Sequence, residues 1–185
     1  MFAALGAAVI DTDAISHELT GAKGAAMAAI REHFGSEYVR PEGSLDRAAM
    51  RELVFRDAQA KRRLEAVLHP LIGSEVRERL ARVDAPYAVI VVPLLLETGS
   101  YRDIVDRVLV VDCPEKQQIA RTMARSQLTE DAVRAIVAAQ IPRQQRLARA
   151  DDVLVNDADL AKLEARVRAL HERYLHAAQG RAGAA

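Results

Sequence analysis

Four short apolar runs rich in β-branched residues punctuate the chain: Ala8 to Ile10, Tyr87 to Val92, Arg107 to Val111 and Val153 to Val155. Within them apolar positions are continuous rather than alternating, the pattern of strands covered on both faces in a parallel sheet. A polar or turn-forming residue follows each run, namely Asp11, Pro93, Asp112 and Asn156. In open α/β sheets ligands bind just beyond the carboxyl ends of the strands, so a site is expected first at these positions.

Between the runs the spacing becomes helical. Ala25 to Phe34 is stopped by Gly35, and the segment after Ser44 carries Leu45, Met50, Leu53 and Val54. Asp57 is placed to cap a helix running to His69, with Pro70 opening the next at its first position. Residues 14–85 therefore read as all-helical, far longer than an ordinary crossover, and predict a helical lobe over the carboxyl edge of the sheet. Further helices are expected from Pro114 to about Arg125, from Glu130 to Gln140 behind a Thr129 cap, and from Arg143 to Ala150. A last amphipathic one, from Asp159 to about Leu175, sets Leu160, Leu163, Val167 and Leu170 on one side. The tail 179–185 is small and polar and is expected to fray. With neither repeat nor linker, 1–185 reads as one α/β domain with helical additions.

The 185 residues suffice for one good core, and 50% apolar with 28% charged residues is a globular composition. Acidic and basic residues balance at 26 each, so no net field draws the chain to nucleic acid or an anionic membrane. One cysteine, Cys113, permits no internal disulfide, and no Cys/His cluster has zinc spacing, which together predict a reducing, cytoplasmic setting without a structural metal. No apolar run approaches the ~20 residues that cross a bilayer, and the opening six residues lack the features of a secretion signal.

Three constellations could carry chemistry. Asp11-Thr12-Asp13 directly follows a strand. A carboxylate fixed there can take the proton of a substrate hydroxyl and aim its oxygen at a phosphoryl group, although Asp13 could equally cap the helix that begins at Ala14. Arg121 and Arg125 are spaced i,i+4 and Arg143 and Arg146 i,i+3, so each pair shares a helix face and could clamp phosphate oxygens; Arg134 and Arg149 belong to the same set. The plain alternative is a solvated surface, since arginine outnumbers lysine 22 to 4. His69 before Pro70 reads first as a helix junction, the leucines after Pro93 as core or pocket wall, and Glu97 as a carboxylate that could orient a neighbour.

Six strings occur in order: Val9-Ile10-Asp11-Thr12-Asp13, Leu45-Asp46-Arg47, Leu68-His69-Pro70-Leu71-Ile72, Val91-Val92-Pro93-Leu94-Leu95, Arg107-Val108-Leu109-Val110-Val111-Asp112 and Ala150-Asp151-Asp152-Val153. In these strings the chain, from Met1 to about Leu175, resembles the bacterial dephospho-CoA kinases. The resemblance implies transfer of the γ-phosphoryl group of ATP, with Mg2+ in the co-substrate complex, to the 3'-hydroxyl of dephospho-CoA. It implies a P-loop kinase-like parallel sheet, a helical CoA lobe at about 14–85 and a helical lid at about 114–150. It also implies catalytic roles for Asp13, which orients the hydroxyl, and for Arg121, which meets ATP phosphates, with Arg125 and Arg143 beside it. Asp11, His69 and Leu95 would contact dephospho-CoA, and the region from Asn156 would border adenine. ATP and dephospho-CoA are the implied partners, with no nucleic acid, no membrane and no implied oligomeric state.

One departure from the family pattern stands out. Such kinases need G-x-x-x-x-G-K-[ST], yet no lysine here follows a glycine: Lys23, Lys61 and Lys162 follow alanine and Lys116 follows Glu115. Met1 matches a point inside the helix after that loop, so the central first strand, between those of Val9 and Leu109, is expected to be absent. Either the natural protein begins upstream, or the chain is an inactive relative that retains CoA-type binding. A different small-molecule P-loop kinase is a further alternative, because fold does not fix the acceptor.

Overall fold

The computed structural model describes residues 1–99 and 101–182. The described residues form two compact units, Ala7–Pro93 and a second made of Met1–Gly6 with the chain from Leu94 onward. Each contains one pair of parallel strands, with helices between strands.

The first unit opens with β1 (Ala8–Asp11), followed by α1 (Thr12–Leu19), α2 (Met27–Phe34), α3 (Arg47–Arg56), α4 (Ala58–Ala81) and β2 (Ala88–Val91). β1 and β2 pair in register from Ala8↔Ala88 to Asp11↔Val91. Asp46 and Asp57 cap α3 and α4 by accepting two backbone N–H groups each. Gly35, at φ 94° and ψ 168°, ends α2 in a conformation that a Cβ would strain. The core of this unit is helical, with Ala26, Met27, Ile30, Phe34, Leu45, Met50 and Ala60 forming one cluster.

α4 departs from the expected helix junction at Pro70, because it runs unbroken through that residue. Proline cannot donate to the carbonyl of Ala66, a loss worth roughly 3 kcal/mol in a helix interior. His69, Pro70 and Ala66 are exposed, so water can serve that carbonyl, while buried Ala60, Gly73 and Val76 hold the two halves of the helix to one surface. Tertiary burial on one side thus overrides a local break on the other.

The second unit begins with a 3-10 turn at Phe2–Leu5 and continues with α5 (Leu95–Thr98), β3 (Leu109–Asp112), α6 (Glu115–Ser126), α7 (Glu130–Ala138), α8 (Arg143–Ala148), β4 (Asp152–Val155) and α9 (Leu160–Ala182). β3 and β4 pair from Leu109↔Asp152 to Asp112↔Val155. The run into β3 serves two cores, as a strand covered on both faces must. Val108 and Val110 join Leu96, Ile141 and Leu147, whereas Leu109 packs with Leu154, Leu163, Val167 and Leu170. Thr129 caps α7 as expected. α9 continues beyond Leu175 as helix to Ala182, so its described part includes the first residues of the expected tail; 183–185 lie outside the described residues.

The expectation of strands buried along their whole length needs correction. Val9, Val91, Val111 and Val153 are 43%, 41%, 59% and 41% exposed. Among the described residues each sheet has two strands, so every strand is an edge.

Candidate functional site

At the carboxyl end of β1, Asp11 caps α1: its Oδ1 accepts from the N–H groups of Asp13 at 2.9 Å and Ala14 at 3.4 Å. The alternative in which Asp13 is the cap is therefore wrong. Capping requires an extended residue just before the helix, a conformation that Asp11 has, while Asp13 is already inside the first turn. Asp13 is exposed and its carboxylate is engaged by no hydrogen bond or ion pair among the described residues, leaving it available at the amino end of a helix. Between them Thr12 is buried, and its Oγ1 donates to the carbonyl of Val91 at 2.9 Å. That bond ties the Asp11-Thr12-Asp13 turn to the end of β2. Spacing along the chain gives no sign of this role for Thr12, because its partner lies 79 residues away.

His69 sits exposed on α4, next to exposed Pro70. Arg47, half-buried at the start of α3, donates to Thr20 Oγ1 at 2.6 Å and to the carbonyl of His17 at 3.3 Å, closing the carboxyl end of α1. Burial, with a smaller effect from nearby Arg40, depresses its pKa from the ordinary value.

In the second unit the carboxyl ends of β3 and β4 gather three more of the expected residues. Asp112, buried at the end of β3, accepts from Arg143 Nε at 2.8 Å and Nη2 at 2.5 Å. This fork holds the carboxyl below its usual pKa range against the opposing effect of burial, and raises that of the guanidinium. The carbonyl of Asp112 accepts from the N–H of Asn156 at 2.7 Å. The carbonyl of Asn156 accepts in turn from Arg121 Nη1 at 2.8 Å. Arg121 on α6, Asn156 after β4 and Arg143 on α8 are thereby joined through Asp112. Arg125, one turn beyond Arg121, is exposed and takes no part.

The other arginines sort by their partners. Arg134 binds Glu130 on its own helix and lies 3.8 Å from Glu115, a solvated surface pair. Arg146 reaches Gln140 at 3.5 Å, and Arg149 donates to the carbonyl of Leu96 at 3.3 Å. Leu95 is half-buried against the Leu96, Val108 and Val110 cluster, and Glu97 accepts from the N–H of Ile141 at 3.4 Å. Gln117 donates to the carbonyl of Asp157 at 3.3 Å, while its Oε1 is buried with no partner among the described residues. An open depression of about 400 Å³ lies between β4 and α9, lined by Val153, Asp157, Arg166 and Arg173 among others. Among the described residues no three His, Cys, Asp or Glu side chains form a group able to hold a metal, and no helix is long and apolar enough to cross a membrane.

A family model described as dephospho-CoA kinase matches residues 1–162. The chain belongs to the dephospho-CoA kinase family. Kinases of this family are phosphotransferases, and ATP is the co-substrate the name implies. The dephospho-CoA kinase of Nitrosospira multiformis is 59% identical over 180 residues, covering 97% of this chain and 90% of that protein. That of Thiobacillus denitrificans is 57% identical over 180 residues, with 97% and 89% covered. Among solved structures, TT1252 from Thermus thermophilus superposes with a TM-score of 0.77 at 33% identity, covering 92% of this chain and 86% of that one. Dephospho-CoA kinase from Campylobacter jejuni does so with a TM-score of 0.67 at 25% identity, over 93% and 87%. The likeness extends through both units, so the α/β architecture is that of P-loop kinases, as expected.

Proposed function

We propose that this chain carries the phosphoryl-transfer chemistry its family name describes: ATP-dependent phosphorylation of the 3'-hydroxyl of dephospho-CoA, the last step of coenzyme A synthesis. In this reading Asp13 accepts the hydroxyl proton as the ribose oxygen bonds to the γ-phosphorus. The bond from that phosphorus to the bridging oxygen breaks, and ADP leaves with the electron pair. Magnesium enters with the ATP phosphates as part of the co-substrate. Arg121, with Arg143 and Arg125, offsets charge on those phosphates. Asp11 fixes the turn that presents Asp13, while His69 and Leu95 contact the acceptor and the segment at Asn156 borders adenine. Residues 14–85 serve as the acceptor lobe and 114–150 as the lid.

The observation that supports this most directly is the division of labour at the end of β1. Asp11 is spent on the cap, while the exposed carboxylate of Asp13 is engaged by no partner among the described residues. The decisive comparison is Asp13→Asn against the parent protein, with ATP and dephospho-CoA as substrates. Loss of a positioned base should lower kcat by roughly 10²-fold or more with little change in the KM for ATP. An Asp13→Asn protein of unchanged kcat would remove Asp13 from the mechanism.

One sequence feature favours a second reading. The sequence contains no Gly-Lys pair, and therefore none of the lysine that a P-loop sets against the phosphates. The second reading is an inactive relative that retains CoA-type ligand binding. Calorimetric titration separates the two: ATP binding favours the kinase, and dephospho-CoA binding without ATP binding favours the inactive relative.

A further inference from the structure

The carboxyl ends of β3 and β4 carry an arrangement that the reaction alone does not require. Asp112 is buried, and both of its carboxylate oxygens are taken by one guanidinium, that of Arg143. Its main-chain carbonyl receives the N–H of Asn156, whose own carbonyl receives Arg121. Two arginines from different helices, α6 and α8, are therefore fixed to one rigid frame, the paired ends of two strands. Each keeps an unused edge. Arg143 donates through Nε and Nη2, leaving Nη1, and Arg121 donates through Nη1, leaving Nε and Nη2. Half of the Arg143 side chain remains exposed, so that edge can be reached from solvent.

A guanidinium held on one edge by a carboxylate and open on the other is oriented before any anion arrives. A free arginine would have to lose its rotamer freedom on binding. We propose that Asp112 is a positioning residue: its side-chain fork sets Arg143 as one arm of a clamp for the polyphosphate of ATP, whose other arm, Arg121, is held by the main-chain carbonyl of Asn156. This inference rests on the reading of Arg121 and Arg143 as phosphate ligands given above. Asp112 acts only through Arg143 and touches no substrate. Cys113 and Arg146 are the other polar groups close enough to act on this pair electrostatically, and neither supplies a second carboxylate for Arg143.

The test is a mutant cycle in the intact protein, read by calorimetric titration with ATP and by the KM values for ATP and dephospho-CoA. Asp112→Asn should weaken ATP binding by about tenfold, the scale of one charge-assisted hydrogen-bonding contact, and leave the KM for dephospho-CoA unchanged. Because Asp112 works through Arg143, the double variant Asp112→Asn/Arg143→Gln should bind ATP no more weakly than Arg143→Gln alone. Additive losses would mean a merely structural Asp112 and overturn the proposal. Arg143→Lys keeps the charge but cannot form the fork, and it leaves the Asp112 side chain in the sequence. It should lose nearly as much as Arg143→Gln, and full ATP affinity in Arg143→Lys would overturn the proposal even if Asp112→Asn failed to fold. The underlying reading fails in a different way, with Arg143→Gln and Arg121→Gln both leaving ATP binding unchanged.

Discussion

Tyr174 on α9 donates its hydroxyl hydrogen bond to Asp152 Oδ2 on β4 at 3.1 Å. The same carboxylate, 3% exposed, accepts from Arg107 Nε at 2.8 Å and from Arg173 Nη2 at 2.8 Å. Arg107 precedes β3 and Arg173 lies beside Tyr174, so one buried acid fastens the last helix to both strands. Phe2 stacks on Tyr174 with ring centroids 6.2 Å apart and carries the fastening to the amino terminus. Burial and the neighbouring carboxylate push the Tyr174 hydroxyl well above the ordinary tyrosine pKa, so it stays a donor at any working pH.

Replacing Asp152 with Ala strands three donors, two of them charged. The arginines are half-exposed and can regain water, so the expected loss is about 2 to 4 kcal/mol rather than the larger figure for a fully buried network. Tyr174→Phe removes one donor and should cost about 1 kcal/mol. Urea unfolding followed by circular dichroism gives both values. Equal losses in the two variants would show that Asp152 is held by the tyrosine alone.

The same geometry sets an acid limit. Asp112 and Asp152 both have folded-state pKa values below the ordinary carboxylate value, chiefly through their hydrogen bonds to Arg143 and Arg107 respectively. A depressed pKa means that the unfolded chain binds the proton first. Their stabilisation is therefore complete above the unfolded pKa of about 4 and is lost as pH falls below it through the folded values. Unfolding midpoints should be flat from about pH 7 to 5 and drop steeply below about pH 4, and Asp152→Asn should flatten that drop.

Gly24→Ala should damage the first unit. An added Cβ would lie 2.1 Å from the carbonyl oxygen of Leu19 and 2.3 Å from its carbon, and both are backbone atoms that cannot rotate away. The backbone must shift around the bond from the N–H of Ala26 to that same carbonyl. A loss of about 2 kcal/mol or more is expected from overpacking. Gly180→Ala, whose Cβ would meet nothing within 4 Å, is the control and should be neutral or slightly stabilising.

Pro70→Ala restores the missing hydrogen bond in the middle of α4 at an exposed position. It should stabilise the protein by about 1 kcal/mol or more, up to the roughly 3 kcal/mol that separates proline from alanine in a helix. A rise in the thermal midpoint checks it. A fall would mean that α4 packs against its neighbours only when bent at Pro70.

What the sequence determined by itself was local or periodic. The four strands were legible because continuous β-branched runs have few alternatives, and the caps at Asp57 and Thr129 because a cap acts within three residues. The Asp11-Thr12-Asp13 turn was legible as a unit, but not which acid capped the helix, since that depends on whether α1 starts at residue 12 or 14. The family strings made the reaction class readable, because they keep their order along the chain whatever the fold does. Tertiary structure decided the rest. α4 crosses Pro70 because burial of Ala60, Gly73 and Val76 outweighs one lost hydrogen bond that water can replace. Arg143 and Arg134 look alike in sequence, yet one meets a buried acid 31 residues away and the other a surface acid one turn back. Nothing in spacing along the chain encodes that difference, because the strength of an ion pair depends on burial and approach, which exist only after the chain has folded.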